Sequence, residues 1–314
     1  MISVVMPVYN SEKFLRPAVE SILNQTFRDF EFIIINDGST DASPAILQEY
    51  AERDSRVRVI NTEHIGLVGA LNLGIAAAHY EWIARMDADD ISLPRRFEKQ
   101  LEAAEKHPEV VVWGSYIHHI NANESILSLS KVGPACPEEY RRCRETHGLI
   151  QVIHPSALMR KDVIIKAGGY KAAYESAEDV ELFDRMADFG PILALTEPLL
   201  LYRVHPNSVS MQKFFIQKQI SDYVALRRKC ENTGHKPPNL EEFLKDYDTQ
   251  PAVVRIKRNL GIRRQLYYRS AGMLFGDGQY AKALFYFGLS TLLDPVYSLR
   301  RAWNQRPVLR HQLS

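Results

Sequence analysis

Two hydrophobic rhythms alternate along the chain as far as Ile120. Ser3 to Tyr9 is β-branched and apolar until Pro7 interrupts it, and Glu31 to Asn36 is a continuous apolar run too short for a helix. Both read as strands, the second buried on both faces. Arg56 to Asn61 alternates as a third strand, Trp82 to Asp87 forms a fourth, and Glu109 to Ile120 a fifth. Between them the spacing is helical. Phe14, Leu15, Ala18, Val19, Ile22 and Leu23 fall on one face of a helix over Glu12 to Thr26. Ser43-Pro44 opens another through about Arg53, with the serine as cap and the proline in the first turn. Gly66 to His79 and Pro94 to Lys106 supply two more. Strands alternating with helices predict a parallel sheet covered by helices on both faces.

The regularity stops at Asn121. Residues 121–148, with Pro134, Pro137 and scattered polar side chains, read as a long irregular connection over the sheet edge, of the kind that carries substrate loops. Ile150 to Met159 resumes strand character. Glu178 to Phe189 reads as a helix with Val180, Leu182, Phe183 and Met186 on its apolar face, and Ile192 to Val204 supplies a last strand or two. Beyond Lys213 the pattern is helical, broken at Gly234 to Pro238 and again at Asp248 to Pro251. Ser270 to Pro295 reads as one helical hairpin packed on its neighbours. The expected division is a sheet-containing domain over 1–212 and a helical extension over 213–314.

A chain of 314 residues with a 46% hydrophobic share can bury one large core and carry a helical appendage. Formal charge is near balance, but residues 251–314 hold 11 Lys and Arg against two acids, Asp277 and Asp294. So basic a tail predicts an anionic partner. Cys136, Cys143 and Cys230 show no C-x-x-C spacing, which fits a reducing compartment. The N-terminus runs straight into a strand pattern without a signal-like segment, and no stretch reaches the roughly 18 apolar residues of a spanning helix. The expected location is the cytosol, on or off a membrane surface.

Polar clusters stand at the predicted C-terminal ends of strands, where an open α/β sheet binds ligands. If the fourth strand runs to Asp87, then Asp87 and Asp89 share a face, and two carboxylates there suit a hard divalent cation carrying phosphate oxygens. An acidic turn with Asp90 or Ser92 capping the next helix explains the same residues. Pro7-Val8-Tyr9-Asn10 is a ligand loop or a turn capped by Asn10 or Ser11. Asn36-Asp37-Gly38-Ser39 is a turn, yet a turn does not require an acid after three isoleucines, and this carboxylate could accept the N3–H of a uracil ring. Glu178-Asp179 at a helix start complements the helix dipole, or takes a proton from an attacking hydroxyl. His205, in the stretch Tyr202 to Ser208, is a loop histidine or a metal's third protein ligand. No G-x-G-x-x-G follows the first strand, and neither a phosphate-binding G-x-x-x-x-G-K-[ST] nor a G-x-S-x-G elbow occurs. That counts against dinucleotide oxidoreductases, P-loop NTPases and hydrolases with such an elbow.

In order and spacing, VVMPVYN at 4–10, Asn24-Gln25-Thr26-Phe27, IIINDGSTD at 33–41, ARMDADDISLPRR at 84–96, GGY at 168–170 and ED at 178–179 resemble the family 2 inverting glycosyltransferases of the GT-A fold. The likeness covers about residues 1–210. It implies a nucleotide-diphospho-sugar transferase fold, a mixed and mainly parallel α/β sheet flanked by helices, here with a C-terminal helical extension. It also implies a nucleotide-sugar donor, a UDP-sugar, and a divalent metal, Mg2+ or Mn2+. Carried over by position, Pro7, Tyr9 and Asp37 hold the base and Asp87 lies on the ribose side, with Asn10 and Ala88 among the nucleotide-sugar contacts. Asp89 ligates the metal, and His205 completes its site as in one subgroup of the family. Asp179 is the general base, and Gly169, Tyr170 and Glu178 belong to the acceptor wall. Asn36 stands where many relatives have a second aspartate, so the base contact rests on Asp37. The implied reaction is hexosyl or N-acetylhexosaminyl transfer to a hydroxyl of a glycan or lipid-linked acceptor with inversion, in cell-surface polysaccharide or lipopolysaccharide-type biosynthesis. Two other classes compete. A sugar-nucleotide pyrophosphorylase would need a glycine-rich loop bearing Arg or Lys where Pro7 to Asn10 stands. A binding module that lost its chemistry would not need Asp87, Asp89, Asp179 and His205 together.

The tail has a pattern of its own. Over 255–269, Arg255, Lys257, Arg258, Arg263, Arg264 and Arg269 interleave with apolar residues, of which Ile256, Leu260 and Tyr267 fall near one side of a helix. Arg300-Arg301-Ala302-Trp303 adds a second basic and aromatic cluster. A solvated helix face explains the charges alone. Peripheral contact with anionic lipid on the cytoplasmic leaflet explains the interleaving as well. No motif supports nucleic acid as the partner.

Overall fold

The computed structural model describes residues 1–146, 148–205 and 209–310, excepting the side chains of 209–210 and 304–310. In chain order the elements are β1 (Ile2–Val8), α1 (Glu12–Leu23), β2 (Phe30–Asp37), α2 (Ser43–Arg53), β3 (Val57–Thr62), α3 (Gly66–Ala77), β4 (Trp82–Arg85), β5 (Ile91–Ser92), α4 (Arg96–Lys106) and β6 (Val112–Ile120). There follow β7 (Ile126–Ser130), α5 (Pro137–Glu145), β8 (Leu158–Arg160), α6 (Lys161–Lys166), α7 (Glu178–Met186) and β9 (Ile192–Arg203). Then come α8 (Val209–Gln212), α9 (Phe214–Asn232), α10 (Leu240–Thr249), α11 (Ala252–Gly276), α12 (Tyr280–Leu293) and α13 (Pro295–Arg310). They form two units, 1–117 with 130–202, and 118–129 with 203–314.

In the first unit β1 is an inner strand of a parallel array in the order β3-β2-β1-β4. Val4 pairs with Phe32 on one side and Ala84 on the other. Met6, Ile33, Ile34 and Ile35 are wholly buried, which is why these runs show no polar alternation. Beyond β4 the pairings turn antiparallel, β4 with β8, β8 with β6, and β5 with β9. The sheet is therefore mixed, and its antiparallel part goes beyond what the strand–helix alternation predicts. These strands need no crossover helix, so the alternation carries no sign of them.

Several local expectations are corrected. The stretch 121–148 is not irregular throughout, since it contains β7 and α5. Ile150 to Met159 is not one strand: a 3-10 turn occupies His154–Ser156, and β8 begins only at Leu158. Its apolar character comes from burial of Ile150, Val152 and Ala157. Ser43 does not cap α2. Its backbone N–H donates to Asp41 Oδ1 (2.9 Å), while Asp41 Oδ2 accepts from Glu12 N–H (3.0 Å). An ionised carboxylate is the stronger acceptor, and here it serves the first turns of α1 and α2 together.

The second unit contains the end of β6, His118 to Ile120, where His119 Nδ1 meets Ser128 Oγ of β7 at 3.0 Å. Its helices begin with α8 at Val209, a few residues before the expected start at Lys213, and break as expected between α9 and α10 and between α10 and α11. Asn239 and Glu242 form a reciprocal capping box that starts α10. The rings of Tyr223, Phe243 and Tyr247 pack in series. The expected hairpin is α11 with α12, joined by Asp277 to Gln279. Among the described residues no helix is long and apolar enough to cross a membrane.

Candidate active site

The acidic stretch is held from both ends. β4 stops at Arg85, so Asp87 and Asp89 lie in the turn beyond it and not on one strand face. Arg96, fully buried at the start of α4, donates Nη2 to the carbonyls of Arg85 (2.9 Å) and Ala157 (3.2 Å). Gln25, buried after α1, donates Nε2 to Leu93 O (2.8 Å) and Ser92 Oγ (3.1 Å) and accepts from Phe97 N–H (3.2 Å). Neither Asp90 nor Ser92 caps α4, whose N-cap is Arg95. Instead the carboxylates of Asp87, Asp89 and Asp90 converge, with one oxygen from each lying within 4.8 Å of the others. Burial pushes the Asp87 carboxyl up, Arg85 pulls it back through an ion pair, and Asp89 pushes it up again; the net direction is up. Carboxylates gathered this closely relieve their repulsion by sharing a cation, and an all-oxygen set fits a hard one such as Mg2+ or Mn2+.

Asp37, at the end of β2, is buried and serves α3. Its Oδ1 accepts from Ile65 N–H (2.7 Å) and Thr62 Oγ1 (3.2 Å), and its Oδ2 accepts from Gly66 N–H (3.0 Å). A carboxylate at a helix N-terminus is thus a structural reason for an acid after the three isoleucines. The His64 ring stands beside it, with Nδ1 3.0 Å from Asp37 Oδ2 and the ring stacked on Tyr9 at 4.2 Å. Gly38 is required here: its φ is +70°, and a Cβ would lie 2.9 Å from His64 N. Asn10, also at positive φ, accepts from Thr40 N–H (2.8 Å) and so ties the turn after β1, with Pro7 and Tyr9, to the turn after β2.

Glu178 and Asp179 open α7, after Ser176 at a φ of +85°. Burial, then Asp179, push the Glu178 carboxyl up to about 7, and its Oε2 has no hydrogen-bond partner among the described residues. Asp179 is also raised, by burial first, against a hydrogen bond from Val180 N–H and the pull of Arg85, with Asp87 adding to the rise. Arg85 thus lies within electrostatic reach of Asp87, Glu178 and Asp179. Behind them Tyr170 is buried, its hydroxyl 2.6 Å from His154 Nε2. Burial and Arg85 hold His154 well below its ordinary value, so it is neutral. Gly169 adopts a φ of +67° beside Asn72, whose side chain accepts from Tyr170 N–H and donates to Tyr170 O, both at 2.9 Å. Arg185 donates to Gly169 O at 2.7 Å and pairs with Glu181, fixing the same turn from α7.

The Glu178 environment has a measurable consequence. An acid whose pKa rises from 4.5 to about 7 on folding favours the folded state while protonated. The cost of ionising it grows between those values and is complete above the upper one. Glu178→Gln is expected to raise stability by about 1 to 3 kcal/mol at pH 8 and by little at pH 5. Denaturant unfolding at the two pH values checks this, and an equal effect at both would remove the assignment.

The first unit thus brings Asp87, Asp89 and Asp179 into one electrostatic neighbourhood, with Ala88 buried between the two aspartates in sequence. His205 is half-buried and belongs to the second unit, while Pro206, Asn207 and Ser208 lie outside the described residues. Sequence reasoning missed Asp90 as a member of the acidic cluster, His64 beside Asp37, His154 behind Tyr170, and Arg85. An arginine inside the apolar run Trp82 to Met86 was the available signal, because a buried guanidinium needs anionic company.

Residues 3–168 match the family described as Glycosyl transferase family 2. Among curated proteins the chain is 38% identical over 219 residues to the O-antigen biosynthesis glycosyltransferase WbnJ of Escherichia coli, covering 66% of this chain and 81% of that one. Among solved structures it resembles S. aureus TarS in complex with UDP-GlcNAc, with a TM-score of 0.57 at 16% identity over 94% of this chain and 91% of the other. It also resembles the mannosyltransferase PcManGT from Pyrobaculum calidifontis in complex with GDP-Man and Mn2+, with a TM-score of 0.54 at 16% identity, covering 98% and 82% of the two chains. The matched stretch spans the turns after β1, β2 and β4, and the chain is a glycosyltransferase of family 2 with the GT-A fold.

Proposed function

We propose that the chain transfers a hexosyl or N-acetylhexosaminyl group from a UDP-sugar to a hydroxyl of a glycan or lipid-linked acceptor, with inversion, in the assembly of a cell-surface polysaccharide. The observation that carries this is the convergence of Asp87, Asp89 and Asp90 with the Asp179 carboxylate in electrostatic reach. Related proteins whose names or titles speak of O-antigen synthesis, UDP-GlcNAc, GDP-Man and Mn2+ support the donor class and the setting.

In this reading Pro7, Tyr9 and Asp37 hold the base and Asp87 the ribose, with Asn10 and Ala88 completing the nucleotide-sugar pocket. Asp89 and His205 would hold Mg2+ or Mn2+, with Asp90 close by. When bound, such an ion offsets negative charge on the departing diphosphate. Asp179 accepts the proton of the acceptor hydroxyl as its oxygen bonds to C1 of the sugar, and the bond from C1 to the diphosphate oxygen breaks. Gly169, Tyr170 and Glu178 form the acceptor wall, with the Tyr170 hydroxyl at His154 Nε2. The enzyme works in the cytoplasm, peripheral to the inner face of the cell membrane.

A screen of nucleotide sugars for turnover with and without Mn2+ tests the reading. UDP-sugars are expected to turn over only with the metal. Turnover confined to guanosine donors would move the base assignment away from Asp37, and no turnover with any donor would favour a binding module.

A further inference from the structure

Helices α12 and α13 reverse the usual placing of polar and apolar side chains. Ser290 and Ser298 are fully buried, their hydroxyls 2.8 Å apart, and Ser290 Oγ also lies 3.0 Å from Arg264 O of α11. Tyr286 and Phe287 pack on Tyr267 and Tyr268 of α11. The outward side is apolar. Leu284 (70% exposed), Phe285 and Leu292 (82%) lie along α12, and Val296 (72%), Leu299 and Trp303 along α13. Val296, Leu299 and Trp303 recur at spacings of three and four, and Leu284, Phe285 and Leu292 at one and seven, so each set falls within an arc of about 100° on its helix, and the stripes adjoin in the chain at Leu292 and Val296. A single exposed leucine is ordinary, but six large apolar side chains in successive rows exceed what a free surface usually shows.

Charge says what covers them. Arg300 and Arg301, with Val296, Tyr297 and Asp294, line an open cavity of about 290 Å³ beside the stripe. Lys282 is exposed at the other end. Residues 251–314 carry 11 basic side chains against two acids, of which Asp294 is paired with Arg264. A second copy docked on this surface would bring the same excess of positive charge against it, whereas anionic lipid brings the opposite sign. Apolar side chains flanked by Arg and Lys, with no helix among the described residues long and apolar enough to cross, are the pattern of a helix lying in the bilayer interface.

We propose that the outward faces of α12 and α13 insert into the headgroup region of an anionic phospholipid bilayer, with Arg300 and Arg301 at lipid phosphates. The inference rests on the peripheral-membrane part of the function proposed above and is independent of its catalytic part. It places the apolar insertion on α12 and α13, downstream of the basic run at 255–269.

The test is flotation of the full chain with vesicles of phosphatidylcholine, alone or mixed with phosphatidylglycerol. The chain floats with the mixed vesicles at low salt, and far less with phosphatidylcholine alone or at high salt. The combined variant Leu284→Ser, Leu292→Ser, Val296→Ser lowers the floated fraction about tenfold or more. In the unaltered chain, brominated lipid quenches part of the tryptophan fluorescence, and Trp303→Phe removes that part. A chain that stays unfloated, a serine variant that floats like the parent, or fluorescence untouched by brominated lipid overturns the proposal. So does a dimer that the serine substitutions convert to monomer, because the stripe is then covered by a second copy. Binding of UDP with Mn2+ by the same preparations reports the catalytic part separately. Its loss with flotation retained would remove the donor assignment and leave the membrane face standing.

Discussion

Asp179→Asn is expected to lower sugar transfer by at least about a hundredfold while leaving donor affinity within a few-fold of the parent, the usual scale for losing a general base. The asparagine keeps the size of the side chain and can still accept the hydrogen bond from Val180 N–H. What it loses is the ability to take a proton. The raised Asp179 carboxyl also fixes the sign of the pH dependence. The base form is populated only above the raised pKa, so transfer by the parent rises with pH through that value and falls on acidification. The residual activity of the variant should lack this limb. Single-turnover rates across pH, with donor affinity measured by calorimetry, decide the matter. Comparable turnover in the variant would move the base to Glu178, whose carboxyl is raised to about 7 in the same place.

Asp89→Ala is expected to abolish metal-dependent binding of the nucleoside diphosphate. One carboxylate oxygen of Asp89 lies within 4.8 Å of those of Asp87 and Asp90, and Asp87 is already engaged by Arg85, so the cluster loses an oxygen donor it cannot replace. His205→Ala should weaken binding less, because an imidazole is the softer and less essential partner for a hard cation. Calorimetric titration of UDP with and without Mn2+ separates the outcomes. Unchanged affinity in the Asp89 variant would leave the acidic turn as a purely structural device, held by Gln25 and Arg96 for the sake of α4.

Much of this protein is legible along the chain because the parallel half of the sheet is made of local units. A strand buried on both faces must be continuously apolar, and its covering helix must carry an apolar stripe, so EFIIIN and the Phe14 to Leu23 spacing announce themselves. The turns at the strand ends are equally local, and their motifs carry the family likeness that the match over residues 3–168 bears out. Only the tertiary structure decided the rest, because it depends on partners far apart in sequence. Gln25 reaches Leu93 across 68 positions, and Asn72 reaches Tyr170 across 98. Neither contact leaves a periodic trace, yet together they set where the acidic turn and the Gly169 turn stand. The antiparallel strands β5 and β8 are two and three residues long, too short for any rhythm. Along the chain Asp37 shows no structural task, because the donors to its carboxylate stand at the start of α3, 28 and 29 positions on. On α12 and α13 the sequence shows apolar residues on every side, and only packing could decide that the serines turn inward while Leu284, Leu292 and Val296 face out.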